Sequence, residues 1–312
     1  MPAGRTPGNS TSPFNQRIEN PQVLPNSAGM VAWLLSHIEQ GEPPIKNIER
    51  PKGEPLPMVY ASNSDPVVEL VGSGGDVNGR RIRIPTNTHV GETSDKHITI
   101  VLAPSDARVP GETISLWLAN SEGAGGPLKI EDGKLSYTNG GTGNITGNLI
   151  EQGYSVSALW APEAGVIRGP ELKAGVVPHA LAATVKDTKQ GPGVYPAAGD
   201  DGENTEAASP STGQRFYLAY TDAEIESLGF KPWKVAVLKA LAHYGFYIED
   251  TGNSTTSFRW EGKLMYEPFG ASEPFTEIGE EQGVEKSGSG YVFNLAQGVD
   301  WTRLRAIAPP PE

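Results

Sequence analysis

The sequence predicts a mainly β fold, a β-sandwich of jelly-roll kind with a few peripheral α-helices. Short segments of alternating apolar and polar residues recur along the chain, separated by turn residues, as in antiparallel sandwiches. The 38 glycines and 27 prolines among 312 residues are typical of many strands joined by turns. Helical patterns are few, whereas a parallel α/β sheet would need a helix after each strand.

The most regular segment is residues 231–245, which the spacing predicts to be an amphipathic helix. Trp233, Val237 and Leu241 recur every four residues and form one apolar stripe. Pro232 suits the first helical turn, where its missing N–H is no loss. After Gly245 we expect a short strand at 246–248 and a turn at 250–252. The side chains of this segment form either a functional site or only part of the hydrophobic core.

We divide the chain into four parts. Residues 1–25 are rich in Pro, Asn, Ser and Gly and predict an extended arm, ordered only where it lies on another surface. Residues 26–57 predict a helix and a connector, 58–306 the sandwich with helix 231–245, and 307–312 a polar tail. The predicted strands are 66–71, 80–84, 97–102, 113–118, a hairpin within 129–137, 154–160, 180–185, 215–219, 257–260, 263–266 and 291–293.

The composition excludes several classes of function. The formal charge of −12 disfavours non-specific binding to nucleic acids or anionic membranes. Cysteine is absent, which rules out disulfides and thiolate metal sites. The sequence contains neither a transmembrane run nor an apolar signal-peptide region. No two of the five histidines have metal-ligand spacing, so we predict neither a metal nor a cofactor.

Two motifs place a histidine near a charged residue. Asp95 and His97 are two apart in a predicted strand start, so a carboxylate could orient an imidazole on one face; the alternative is a turn that caps the strand. Arg168 and Glu171 could pair across one turn. The nearby His179 either is buried and bonded to a backbone carbonyl or faces a cleft.

A third group lies at the end of the predicted helix. His243 is followed by Tyr247, Glu249 and Asp250, which supply a phenol and two carboxylates. Carboxylate pairs hydrolyse glycosides, and His/Tyr pairs can remove the sugar C5 proton in polysaccharide lyases. The alternative is core packing followed by a turn. An exposed aromatic residue such as Trp117 could stack on a sugar ring.

Taken in order, the motifs resemble a family of largely uncharacterised secreted proteins from actinobacteria and related soil bacteria. The resemblance covers residues 12–306 and rests on SPFN at 12–15, PNS at 25–27, SDxH at 94–97, GVIRxxELxxGxxxHAL at 165–181, YPA at 195–197 and the segment 233–252. Members of that family usually carry a signal peptide and often cysteines, which this chain lacks. Ser115 replaces the acid that usually stands two residues before Trp117. These departures suit a phage tail or other virion protein.

We therefore predict a carbohydrate-active protein, extracellular or on a virion surface, that binds or cleaves a bacterial cell-surface polysaccharide as a hydrolase or a lyase. The expected catalytic residues are Asp95, His97, His179, His243, Tyr247 and Asp250, and the expected substrate-binding residues are Trp117, Arg168 and Glu171. In this scheme His97 or His179 is the acid/base, Asp95 orients it, and Tyr247 or Asp250 is the proton partner. The alternatives are a lectin-like module and a non-catalytic subunit whose residues 1–25 contact virion neighbours or a second copy.

Overall fold

The computed structural model describes most of the chain. The described residues are 12–50, 57–72, 77–92, 96–108, 112–117, 119–121, 128–130, 132–137, 156–160, 163–252 and 255–310. For residues 49, 50, 117, 120, 121, 128–130 and 132–137 only the backbone is described.

The described strands form four sheets. In chain order they are β1 Ile48–Arg50, β2 Met58–Tyr60, β3 Val67–Gly72, β4 Arg81–Arg83, β5 Ile98–Val101, β6 Glu112–Trp117, β7 Asn120–Ser121, β8 Leu128–Ile130, β9 Asp132–Tyr137, β10 Leu181–Lys186, β11 Arg215–Leu218, β12 Phe246–Gly252, β13 Ser257–Phe258, β14 Glu285–Ser287, β15 Gly290–Phe293 and β16 Leu304–Ile307. The sheet orders are β1-β15-β14, β13-β10-β12-β11-β16, β2-β5-β6-β9 and β4-β3-β8-β7.

Five α-helices accompany these strands in the described part of the chain. They are α1 Ser27–Ser36, α2 Gly169–Lys173, α3 Asp222–Ser227, α4 Pro232–His243 and α5 Pro274–Glu281. The prediction of a sheet-rich chain with few helices is thus confirmed; the jelly-roll arrangement is not. No helix among the described residues has the length and apolar character needed to cross a membrane.

The five-stranded sheet carries the largest core. Its strands β10 and β12 are parallel, and β11 lies antiparallel to β12. Helix α4 buries Trp233, Val237 and Leu241 against one face of this sheet, as the spacing predicted. Phe216 and Phe246 stack within the same core, with ring centroids 5.3 Å apart. The antiparallel sandwich pattern therefore does not hold for this sheet, because a parallel pair lies at its centre.

The opposite face of the five-stranded sheet is covered by the beginning of the chain. Phe14 is fully buried against Trp160 and Tyr247, with centroids 5.2 and 4.8 Å away. The Ile18 N–H donates to the His243 carbonyl oxygen, and Val23 bridges to Ile307. Residues 12–25 of the predicted arm are thus ordered against their own sheet, whereas residues 1–11 lie outside the described residues.

Strands β2 to β9 form two four-stranded sheets with a common core. Ile82 and Leu70 from one sheet and Ile98, Ile100 and Ile114 from the other are fully buried in it. The predicted hairpin within 129–137 is wrong, because β8 pairs with β3 and β7 whereas β9 pairs with β6. Two adjacent strands of sequence therefore belong to different sheets.

Three other local predictions differ from the structure. Residues 156–160 of the predicted strand 154–160 form turns, which bury Trp160 without a sheet partner, and residues 154 and 155 lie outside the described residues. Residues 263–265 form a 3₁₀ helix instead of a strand. The turn expected at 250–252 is strand, because β10 supplies a parallel partner as far as Gly252.

Candidate active site

The candidate site lies toward the C-terminal end of the parallel pair β10 and β12. Ligand sites in open sheets form outside the carboxyl ends of parallel strands. Asp250 lies near this end of β12 and is half-buried. The next residue, Thr251, donates its hydroxyl to Asp201 at 2.6 Å and contacts the Thr188 hydroxyl, just after β10. The exposed carboxyl group of Asp201 is therefore held at the same end of β12 as the half-buried Asp250.

A β-bulge determines how the acidic residues are placed. Ala183 pairs with Ile248, but the next residue of β10, Thr184, pairs with Asp250, so Glu249 is an extra residue in β12. Successive side chains of a regular strand point to opposite faces, and a bulge changes this alternation. Glu249 and Asp250 here both interact with Arg259. Two consecutive carboxyl groups are thereby brought into one electrostatic environment.

Glu249 forms the buried part of this group. It is fully buried, accepts a hydrogen bond from Trp160 Nε1 at 3.3 Å and forms an ion pair with Arg259. Its backbone carbonyl oxygen accepts from Ala158 N at 2.9 Å and Ser157 Oγ at 3.0 Å. Burial raises the pKa of Glu249, although Arg259 opposes the rise.

Asp250 has the properties of a proton donor near neutral pH. Burial, reinforced by the charge of Glu249, raises the pKa of Asp250 to about 7. Asp201 acts in the same direction, and Arg259 and a hydrogen bond involving Ser157 oppose it. A general acid is most effective when its pKa lies near the working pH. Asp250 can therefore donate a proton while Asp201 offers an exposed carboxyl group.

A second polar group, which we name the junction cluster, joins β2 to the region around α2. Its members are Tyr60, Arg168, Glu171, His179, Glu261 and Tyr266. The predicted pairing of Arg168 with Glu171 is confirmed, because Arg168 Nη1 lies 3.5 Å from Glu171 Oε1 and Arg168 N donates to Glu171 Oε2 at 3.1 Å. His179 is fully buried, with Nδ1 2.8 Å from the Ala180 carbonyl oxygen and Nε2 3.2 Å from Glu171. This confirms the alternative in which His179 is buried and bonded to a backbone carbonyl.

The junction cluster has the bonding of a network that holds elements together. Glu261 is buried, and its Oε2 accepts from Tyr266 Oη at 2.5 Å and from Gly169 N at 3.0 Å. Arg168 Nη2 donates to the Glu163 carbonyl oxygen at 2.8 Å. Burial would raise the pKa of Glu171, but His179 and Arg168 together hold it below its ordinary value. The cluster thus contains ionised partners enclosed by protein.

The other predicted catalytic residues occupy varied positions. His243 ends α4 and contacts Asp222 of α3 at 2.7 Å, so it joins two helices, and in the described contacts it shares no partner with His179. Tyr247 is fully buried on the sheet, its hydroxyl donating to the Pro13 carbonyl oxygen at 3.3 Å. His97 is half-buried just before β5.

Two predicted site residues cannot be placed. Asp95 lies outside the described residues, and only the backbone of Trp117 is described, within β6. Sequence reasoning, in turn, missed Asp201 and Arg259. Asp201 lies in a segment that reads as a low-complexity loop, and its contact with Thr251 spans 50 residues. The paired aspartates at 200 and 201 were the one available signal.

Neither a metal site nor a known family can be assigned to the described part of the chain. Among the described residues, no group of three or more His, Asp or Glu side chains could hold a metal ion. No protein-family model matches the chain, and neither the curated proteins nor the solved structures contain a significant match.

Proposed function

We propose that this chain hydrolyses a polysaccharide of the bacterial cell surface, with Asp250 as the general acid and Asp201 as the second carboxylate. The observation that carries the proposal is that Asp250, whose pKa is raised to about 7 chiefly by burial, lies at the same end of β12 as the exposed carboxyl group of Asp201. Glycoside hydrolysis requires one carboxylic acid to protonate the leaving oxygen and one carboxylate to act as base or nucleophile.

The geometry favours a hydrolase over a lyase. A lyase would need a base that reaches the sugar C5 proton, and Tyr247 was the expected candidate. Its hydroxyl is buried and bonded to Pro13, and burial raises the pKa of this phenol further. Asp250 and Asp201 at the sheet edge are more accessible.

The substrate class and the location are proposals that rest on the resemblance to secreted soil-bacterial proteins. They place the chain outside the cell or on a virion surface, in contact with cell-wall glycans. The non-catalytic virion subunit remains the second candidate. It is less favoured because residues 12–25, the described part of its expected docking arm, are occupied by the chain's own sheet.

The finer fold prediction also remains a proposal. The two four-stranded sheets of residues 58–137 share one core, which supports a sandwich in this part of the chain. The parallel pairs β2/β5 and β3/β8 differ from the antiparallel order of a jelly roll.

Incubation with peptidoglycan and arabinogalactan preparations tests the function. We expect the protein to release reducing ends between pH 5 and 8, and D250N and D201N to lose about 10²-fold or more of this rate. D222N is the matched control, because Asp222 is an exposed aspartate of α3 that contacts His243 at 2.7 Å and has no part in the proposed site. Full activity of D250N, or the appearance of unsaturated products instead of reducing ends, would contradict the assignment.

A further inference from the structure

The charges that face Asp250 come from three elements. Glu249 is the preceding residue of β12, Asp201 belongs to the connection between β10 and β11, and Arg259 follows β13. Ser157, from the turns at 156–160, supplies an uncharged hydroxyl. Two carboxyl groups and one guanidinium therefore determine the local field, and their signs oppose one another.

Glu249 differs from Asp201 in that the fold holds it rigidly. Asp201 is exposed and water screens its charge, whereas Glu249 is fully buried and bonded to Trp160 and Arg259. The bulge adds Glu249 as an unpaired residue of β12, and its carbonyl oxygen is held by Ala158 and Ser157. A charge fixed in a poorly solvated position acts on its neighbour more strongly than an exposed one.

We propose that Glu249 is a positioning residue that favours the protonated form of Asp250, with Arg259 as its opposing partner. Glu249 does not contact substrate; it acts through Asp250. The use of that proton in glycan hydrolysis rests on the proposed function, but the control of Asp250 by Glu249 does not. In a strand without the bulge, residue 249 would point to the face opposite to residue 250 and its influence would be weaker.

The experiment follows the side-chain carboxyl of Asp250 by NMR in ¹³C-aspartate-labelled protein, with D250N identifying the signal. In E249Q the buried carboxylate is removed and Arg259 remains, so the titration midpoint of Asp250 should fall by about 1 pH unit or more. The matched control is E261Q. It also removes a buried carboxylate, but Glu261 follows β13 and faces Arg168 and Tyr266. Its Asp250 midpoint should remain that of the wild type.

A double variant provides the same measurement if E249Q fails to fold. E249Q/R259M leaves no unpaired buried charge, and such replacements are better tolerated than removal of one partner. Because the effect of Glu249 on Asp250 exceeds that of Arg259, the midpoint should still fall, but less than in E249Q. A midpoint that stays unchanged or rises in the folded variants overturns the proposal.

The pH dependence of activity would not change if the role of Glu249 were purely structural. If the chain hydrolyses glycans, the basic limb of its pH–rate profile should shift in E249Q to lower pH by the same amount as the NMR midpoint. A shifted midpoint in a protein that releases no reducing ends would refute the proposed function and leave this inference intact. Loss of activity in D250N with an unshifted midpoint in E249Q would support the proposed function and refute this inference.

Discussion

Replacing Asp250 by asparagine should stabilise the protein above pH 7 and leave its stability at pH 4 nearly unchanged. The pKa of Asp250 rises from 3.8 to about 7 in the folded protein, chiefly because of burial. The folded state therefore keeps a proton that the unfolded chain releases between these two values. Stability falls with increasing pH through this window, because the folded state binds more protons there.

The size of the effect follows from the shift. A difference of about three pKa units corresponds to at most about 4 kcal/mol, at about 1.4 kcal/mol per unit. Asp250 is half-buried, so water screens part of its interactions, and we expect about 1–3 kcal/mol. Asparagine keeps the side-chain oxygen that accepts from Thr251 N at 3.0 Å, so this hydrogen bond should survive the substitution.

Urea unfolding of the wild type and D250N at a series of pH values from 4 to 9 measures the difference. The gain in the free energy of unfolding should appear between pH 4 and 7 and then remain constant. Glu285→Gln, at an exposed position of β14, is the control and should show no such pH-dependent gain. If D250N were destabilised, or differed from the wild type by the same amount at every pH, the assignment of a raised pKa to Asp250 would be wrong.

Three further substitutions test the rest of the structure. Phe14→Ala should lower the free energy of unfolding by about 3–5 kcal/mol, measured by urea unfolding, because the ring is fully buried on the sheet; a loss below about 1 kcal/mol would place the N-terminal segment off the sheet. Glu112→Gln should lower the free energy of unfolding by about 3 kcal/mol at pH 7, because it leaves Arg80 and Arg108 facing a neutral group. This difference from the wild type should shrink as the pH falls through the lowered pKa of Glu112. His243→Ala should lower the free energy of unfolding by less than about 1 kcal/mol and leave glycan hydrolysis unchanged, because its contact with Asp222 is partly exposed. A large loss of activity would show that His243 belongs to the site.

The sequence predicted those elements whose pattern is local. Helix α4 begins at Pro232, buries the stripe that includes Trp233 and Leu241, and ends before Gly245, which adopts a φ of +71°. The Thr221-x-x-Glu224 pattern is typical of a capping box, and it forms one at the start of α3, with Glu224 N donating to Thr221 Oγ1 at 3.2 Å. In each case the signal and the interaction lie within one helix, so no distant partner was needed.

The predictions that failed depended on which segments become neighbours. Residues 250–252 have turn chemistry, but they continue β12 because β10 lies beside them. Asp250 was identified from sequence as a candidate. The reason for its altered pKa was not, because Arg259 and Asp201 reach it only through tertiary structure and the bulge has no signature in the sequence of β12.

Buried carboxyl groups occur both at the candidate site and in the junction cluster. Burial raises the pKa values of Glu249, Asp250 and Glu261, while two guanidinium groups, Arg168 and Arg259, face them in the described contacts. Each raised carboxyl pKa costs stability at neutral pH, and apolar residues of similar size could remove that cost. Glu261 is enclosed by Tyr266 and Gly169, whereas Asp250 reaches the sheet edge beside an exposed carboxyl group. In the junction cluster the cost accompanies a network that holds elements together, whereas at Asp250 it would serve the proton donation that we propose.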